Sequence, residues 1–65
     1  MKLKITLHAM EKMAERGIDK DMIWRAIKCG AVSRQTDGLL ARHTYIEVAY
    51  KVCGEWYIIK TVKIV

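Results

Sequence analysis

Proline is absent from this 65-residue chain, which has only four glycines and two cysteines. With no proline to strip a donor from a sheet interior, no segment of the chain is barred from pairing as a strand. Cys29 and Cys53 lack the repeated spacing of a disulfide framework, so reduced thiols packing as small apolar groups are expected. No uninterrupted apolar stretch is long enough to span a bilayer, and "MKLKITL" has lysines without the apolar run of a signal peptide. The expectation is one cytoplasmic domain over residues 1–65, with no membrane partner.

Chemical signatures are equally sparse. Gly-x-Gly-x-x-Gly, Gly-x4-Gly-Lys-Ser/Thr and Gly-x-Ser-x-Gly do not occur, so dinucleotide, P-loop and nucleophile-elbow chemistry lack support. His8, Cys29, His43 and Cys53 are scattered, whereas a zinc site wants close pairs. No metal and no cofactor are expected.

What the chain does have is 52% hydrophobic and 29% charged residues and a net charge of +5. That composition suits a small globular domain, and a pI near 9.5 favours polyanionic partners such as RNA, DNA or an acidic protein. Chains of this size bury only about 60% of their unfolded surface, which gives a partner something to stabilise.

"KLKIT", Lys2 to Thr6, reads either as a short alternating strand or as a disordered start. Thr6 then caps a helix whose apolar side is predicted to hold Met10, Met13, Ala14 and Gly17, with His8, Glu11, Lys12, Glu15 and Arg16 opposite. Gly17 stops it. Asp19 caps a second helix, Ile18 staples onto Ile23, and Met22, Ile23, Ala26 and Ile27 form its buried stripe before Gly30. Trp24 falls beside Lys28, as a cover for the core periphery or as a partner surface.

After Gly30 the chain turns rich in Val, Ile, Thr and Tyr, with turn signals at Asp37-Gly38 and Cys53-Gly54-Glu55 and a glycine-free bend near Arg42 to Thr44. The fold class that follows is α+β, a helical hairpin packed on a three- to four-stranded antiparallel sheet. A regular last hairpin puts Ile46, Val48, Tyr50, Val52, Tyr57, Ile59 and Thr61 under the helices. Glu47, Ala49, Lys51, Trp56, Ile58, Lys60 and Val62 then share the reverse face, which is too apolar for plain solvent and looks like a surface that meets something.

The chemistry worth weighing is attack within RNA, where a base takes the 2′-hydroxyl proton, an acid protonates the leaving 5′-oxygen and cations hold the phosphate. His8, His43, Tyr45, Lys60, Arg16, Arg34 and Arg42 bring suitable groups. Each has a plainer reading. His8 fits a capping or packing role, Arg16 a solvated helix charge, Arg42-His43 a polar bend, Lys60 an edge-strand guard and Trp56 a cover for the sheet.

"HAMEKMAERGI", the second helix, Asp-Gly and the closing "IKTV" together resemble a small bacterial domain family of unknown function, marked by His-Ala-x3-Met-x2-Arg-Gly-Ile near its start. That family looks like a compact relative of the RelE, BrnT and MqsR toxins, messenger-RNA endonucleases of toxin-antitoxin pairs. The resemblance points to His8, Arg16, Gly17 and Thr61, with Lys12 standing where many relatives have arginine. With the candidates read from the residues, the leading expectation is a metal-independent endoribonuclease with His8 as general acid or base, Arg16, Arg42 and Lys60 around the phosphate, and Arg34, His43, Lys51 and Trp56 contacting RNA. The resemblance also implies a cognate antitoxin covering the cationic face. The alternatives are a non-catalytic RNA- or protein-binding module and a unit that pairs its last strand with a partner.

Overall fold

A computed structural model describes residues 2–65. The chain runs through β1 (Lys2–Ile5), α1 (Leu7–Arg16), α2 (Lys20–Cys29), β2 (Ala31–Gln35), β3 (Gly38–His43), β4 (Ile46–Cys53) and β5 (Trp56–Ile64). The fold is α+β: one sheet in the order β1-β5-β4-β3-β2, with both helices on one side.

The sheet corrects the expected three to four antiparallel strands. Strands β2 to β5 do form an antiparallel meander, but β1 joins as a fifth strand, parallel to β5, and makes the sheet mixed. The alternation in β1 explains its placement. Leu3 and Ile5 pack against the core while Lys2 and Lys4, in register with Trp56 and Ile58, lie on the other face.

Both helices are capped as their sequences require. The Thr6 hydroxyl accepts from the Ala9 N–H, and Asp19 Oδ1 accepts from the Met22 N–H at 2.9 Å. Gly17 closes α1 at φ 66, a left-handed conformation that gives the helical hairpin its short turn. Ile18 and Ile23 are both buried on either side of the Asp19 cap, as a hydrophobic staple requires.

The stripe of α2 is the predicted one: Ile23, Ala26 and Ile27 are buried and Met22 is half-buried. That of α1 is not. Ala9 is its one fully buried residue, Met13 packs beside the core, and Met10 and Ala14 are exposed. The cause is the anchoring of Thr6 to β5, which brings α1 in with the small Ala9 against the sheet.

The core joins the helices to Ala41, Ile46, Val48, Tyr50, Ile59 and Val62. Val62 lies in it because β5 carries a bulge. Tyr50 pairs with Ile59 while its neighbour Ala49 pairs with Thr61, so Lys60 is an extra residue without a partner on β4. The regular register expected for this hairpin is thereby corrected. Val62 turns in opposite Val48, and Thr61 turns out opposite Ala49. Trp24 caps the rim, edge-on to Tyr57 at 5.6 Å and under the Lys28 ammonium at 5.0 Å. The cysteines correct a further expectation: both are free and exposed and do not pack in the core.

Candidate functional site

The helices cover one face of the sheet, and none of the residues pointing the other way is buried. Alternation and register bring Lys2 and Lys4 of β1, Arg42 of β3, Lys51 of β4 and Lys60 and Lys63 of β5 onto this open face, with Glu47 among them. Three ion pairs form at its surface. Lys2 meets Glu55 at 4.0 Å, Lys60 meets Asp37 at 3.2 Å and Lys63 meets Glu47 at 3.3 Å. Among the described residues, Lys4, Arg42 and Lys51 have no such partner, which leaves the face with excess positive charge.

Trp56 supplies the aromatic element. It is 40% exposed and holds the Lys2 ammonium 5.3 Å from its ring centroid. It also lines an open groove of about 620 Å³ along the β1 edge, together with Lys4, Ile58 and Cys53. The Lys60 bulge reaches across β4 to the β2–β3 turn, where its ammonium donates to the Asp37 backbone carbonyl as well as to the carboxylate. That hydrogen bond, then the charges of Lys60 and Lys51, hold the Asp37 pKa below the ordinary carboxylate value.

A second concavity lies at the β3–β4 turn. Thr44 and Tyr45 form a two-residue connection between the paired residues His43 and Ile46, and Thr44 takes φ 56. A β-branched residue in the left-handed region costs on the order of 1–3 kcal/mol. This is the bend expected near Arg42 to Thr44, made by strain in the absence of glycine. The turn and α2 enclose a pocket of about 220 Å³ lined by Met22, Arg25, His43, Thr44, Tyr45 and Ile46. Arg25 lines this pocket and is absent from the candidates read in the sequence. Its position three residues after Met22, on the flank of the buried stripe, is the available signal.

The sequence candidates thus separate into groups. Arg42, Lys51, Lys60 and Trp56 share the open face, whereas His43 and Arg34 point to the helix side of β3 and β2. His8 and Arg16 are exposed in the first and last turns of α1, about 12 Å apart along its axis. The structure does not bring these two together with Arg42 and Lys60. Among the described residues no group of three or more His, Cys, Asp or Glu is placed to hold a metal ion. No helix is long and apolar enough to cross a membrane.

A family model described as a domain of unknown function (DUF4258) matches residues 5–63. The chain belongs to this family. The DUF4258 match starts at the last residue of β1 and ends within β5, so it takes in both helices and nearly all of the meander. No curated protein and no solved structure matches the chain. The DUF4258 description names no activity, and a functional reading of this member has to come from its surface.

Proposed function

We infer that this DUF4258 chain acts on RNA: it takes a single strand along the open face of its sheet and cuts messenger RNA without a metal, as the toxin of a toxin-antitoxin pair. One observation carries the reading. A sheet face free of helices bears six cations, three of them outside any ion pair among the described residues, around an exposed tryptophan.

Phosphates spaced along a strand suit Lys4, Arg42 and Lys51, and the exposed part of Trp56 suits stacking of a base, which needs no particular sequence, once the Lys2 ammonium moves off its ring. The cognate partner, an antitoxin protein, would occupy the same face and neutralise the same charges. Its acidic groups would meet cations that are now solvated, a matter of encounter and orientation more than of raw affinity.

The test is binding of a fluorescently labelled single-stranded RNA by anisotropy across a salt series, paired with 5′-end mapping of cellular RNA after induction. Lys4→Gln, Arg42→Gln and Lys51→Gln combined should lower the salt slope by about 2, since each phosphate that a cation neutralises on a single strand adds roughly 0.7 to it. Trp56→Ala should cost about 1–3 kcal/mol of affinity. An unchanged slope in the triple variant would remove the open face as the binding surface.

The separation of His8 and Arg16 from Arg42 and Lys60 favours a second reading, a binding module that holds RNA or a protein without cutting. New 5′ ends in cells carrying the wild-type chain, absent from uninduced cells, would decide against it.

A further inference from the structure

Four residues whose side chains carry groups that phosphate chemistry uses line the pocket at the β3–β4 turn, outside the open face: Arg25, His43, Thr44 and Tyr45, with the Thr44 hydroxyl donating to the His43 backbone carbonyl at 2.6 Å. Their convergence is tertiary, because Arg25 comes from α2 and the other three from the turn. At about 220 Å³ the pocket is smaller than the roughly 300 Å³ at which sites for drug-sized ligands begin. Its size suits a phosphodiester and the edge of a ribose, with the bases left outside.

One further feature singles it out. Thr44 is the one non-glycine residue with positive φ among those described, and strain of that kind gathers at functional sites. The pocket lies on the helix side, at the end of the sheet where β3 turns into β4. Arg42 lies on the open face immediately before His43, so a strand following the open cations would have to pass round this end of the sheet to enter it.

We propose that this pocket is the centre of a metal-free RNA transesterification, with His43 as general base, Arg25 as the phosphate-holding cation and Tyr45 as general acid. The proposal rests on the RNA-directed reading above and gives that reading its chemistry. His43 takes the proton of a ribose 2′-hydroxyl, and the 2′-oxygen forms a bond to the adjacent phosphorus. The bond from phosphorus to the 5′-oxygen breaks, its electron pair stays on that oxygen, and Tyr45 supplies the proton. Solvent returns a proton to Tyr45 and removes one from His43, so the protein ends as it began. The products are a 2′,3′-cyclic phosphate and a 5′-hydroxyl, with no water consumed and no electron transferred. Arg25 offsets the charge that builds on the pentavalent phosphorus, with a planar fork matched to two of its oxygens.

The experiment compares the wild-type chain, His43→Gln, Arg25→Gln and His8→Ala on a labelled single-stranded RNA and on the same RNA with 2′-deoxyribose throughout. Cleavage rate, end chemistry and affinity are read for each, and folding is verified by circular dichroism and thermal melting. The wild type should cut only the ribose strand and leave cyclic-phosphate ends. His43→Gln should slow cleavage by about a hundredfold or more and keep affinity within about twofold. Arg25→Gln, at an exposed position that does not threaten folding, should slow it by about a hundredfold. Loss of cleavage in a folded His8→Ala protein with His43→Gln unaffected would place the general base at His8 and overturn this assignment.

If the wild type cuts and both pocket variants cut equally well, this assignment falls and the RNA-directed reading stands. If the wild type binds RNA without cutting it, the catalytic part of that reading falls together with this pocket, and the binding module remains. If it does not bind RNA, all of these fall. Should His43→Gln fail to fold, Arg25→Gln decides.

Discussion

The Thr6 hydroxyl donates to the backbone carbonyl of Ile59 at 2.8 Å, and its second, longer contact is to the carbonyl of Lys60 at 3.3 Å. The same oxygen accepts the Ala9 N–H at the start of α1, while the Thr6 N–H also reaches the Ile59 carbonyl. One side chain therefore caps a helix and occupies carbonyls at the bulge of β5. Residues 53 positions apart in sequence are joined by it.

Thr6→Val keeps the shape of the side chain and removes both functions. It should destabilise the domain by about 1–3 kcal/mol, through the absence of a cap and of a bond to a part-buried carbonyl. Thr6→Ser should recover most of this. Urea unfolding followed by circular dichroism measures both, and a Thr6→Val protein as stable as the wild type would show that the anchor contributes nothing.

The bulge at Lys60 reverses which of the next two residues tolerates a hydroxyl. Val62→Thr places a polar group in the core and should cost about 1–3 kcal/mol, whereas Thr61→Val on the open face should stay within about 0.5 kcal/mol. A regular hairpin would give the opposite order. Thermal melts of the two variants tell the registers apart.

Gly38 sits at φ 131, where a Cβ would lie 2.6 Å from the Tyr50 carbonyl oxygen. Gly38→Ala should therefore cost more than the roughly 1–2 kcal/mol expected for Gly54→Ala, since Gly54 at φ 62 has open space around it. Gly54→Asn should be milder still. Chemical denaturation of the three variants gives the ranking, and equal destabilisation at the two glycines would remove the close approach as its cause.

Asp37 is held below its ordinary pKa by Lys60, so its charged form favours the folded state. A lowered folded pKa means this contribution is present above the unfolded value of 3.8 and is lost as pH falls through the folded value. The effect belongs to the acid limb below about pH 4, and it is small because the carboxylate is solvent-exposed. In Lys60→Gln, an NMR titration should move the Asp37 pKa back up toward 3.8. An unmoved midpoint would show that the pair does not persist in solution.

Local signals explain how much of this architecture is legible in the sequence. Thr6, Asp19 and Gly17 act within four residues of themselves, so the caps and the helical hairpin follow from spacing alone. The turn at Gly54 is read the same way. The α1 stripe departs from its periodicity because Thr6 binds carbonyls at Ile59 and Lys60, a contact with no local trace. The faces after Lys60 depart from simple alternation because one unpaired residue shifts everything beyond it. At the candidate site, Lys51, Lys60 and Trp56 are legible as an outward set, whereas Arg42, read as part of a bend, and Arg25 are not.

By itself the sequence determined two capped helices followed by a β-rich half with an excess of positive charge, since propensity, capping and period act over a few residues. Only the tertiary structure decided that β1 lies parallel to β5, that Lys60 is left unpaired, and that Arg25 joins His43 and Tyr45 in one pocket. Each of these depends on which distant backbone groups are free to bond and on which side chains fit together. Those quantities exist only after the chain has closed on itself.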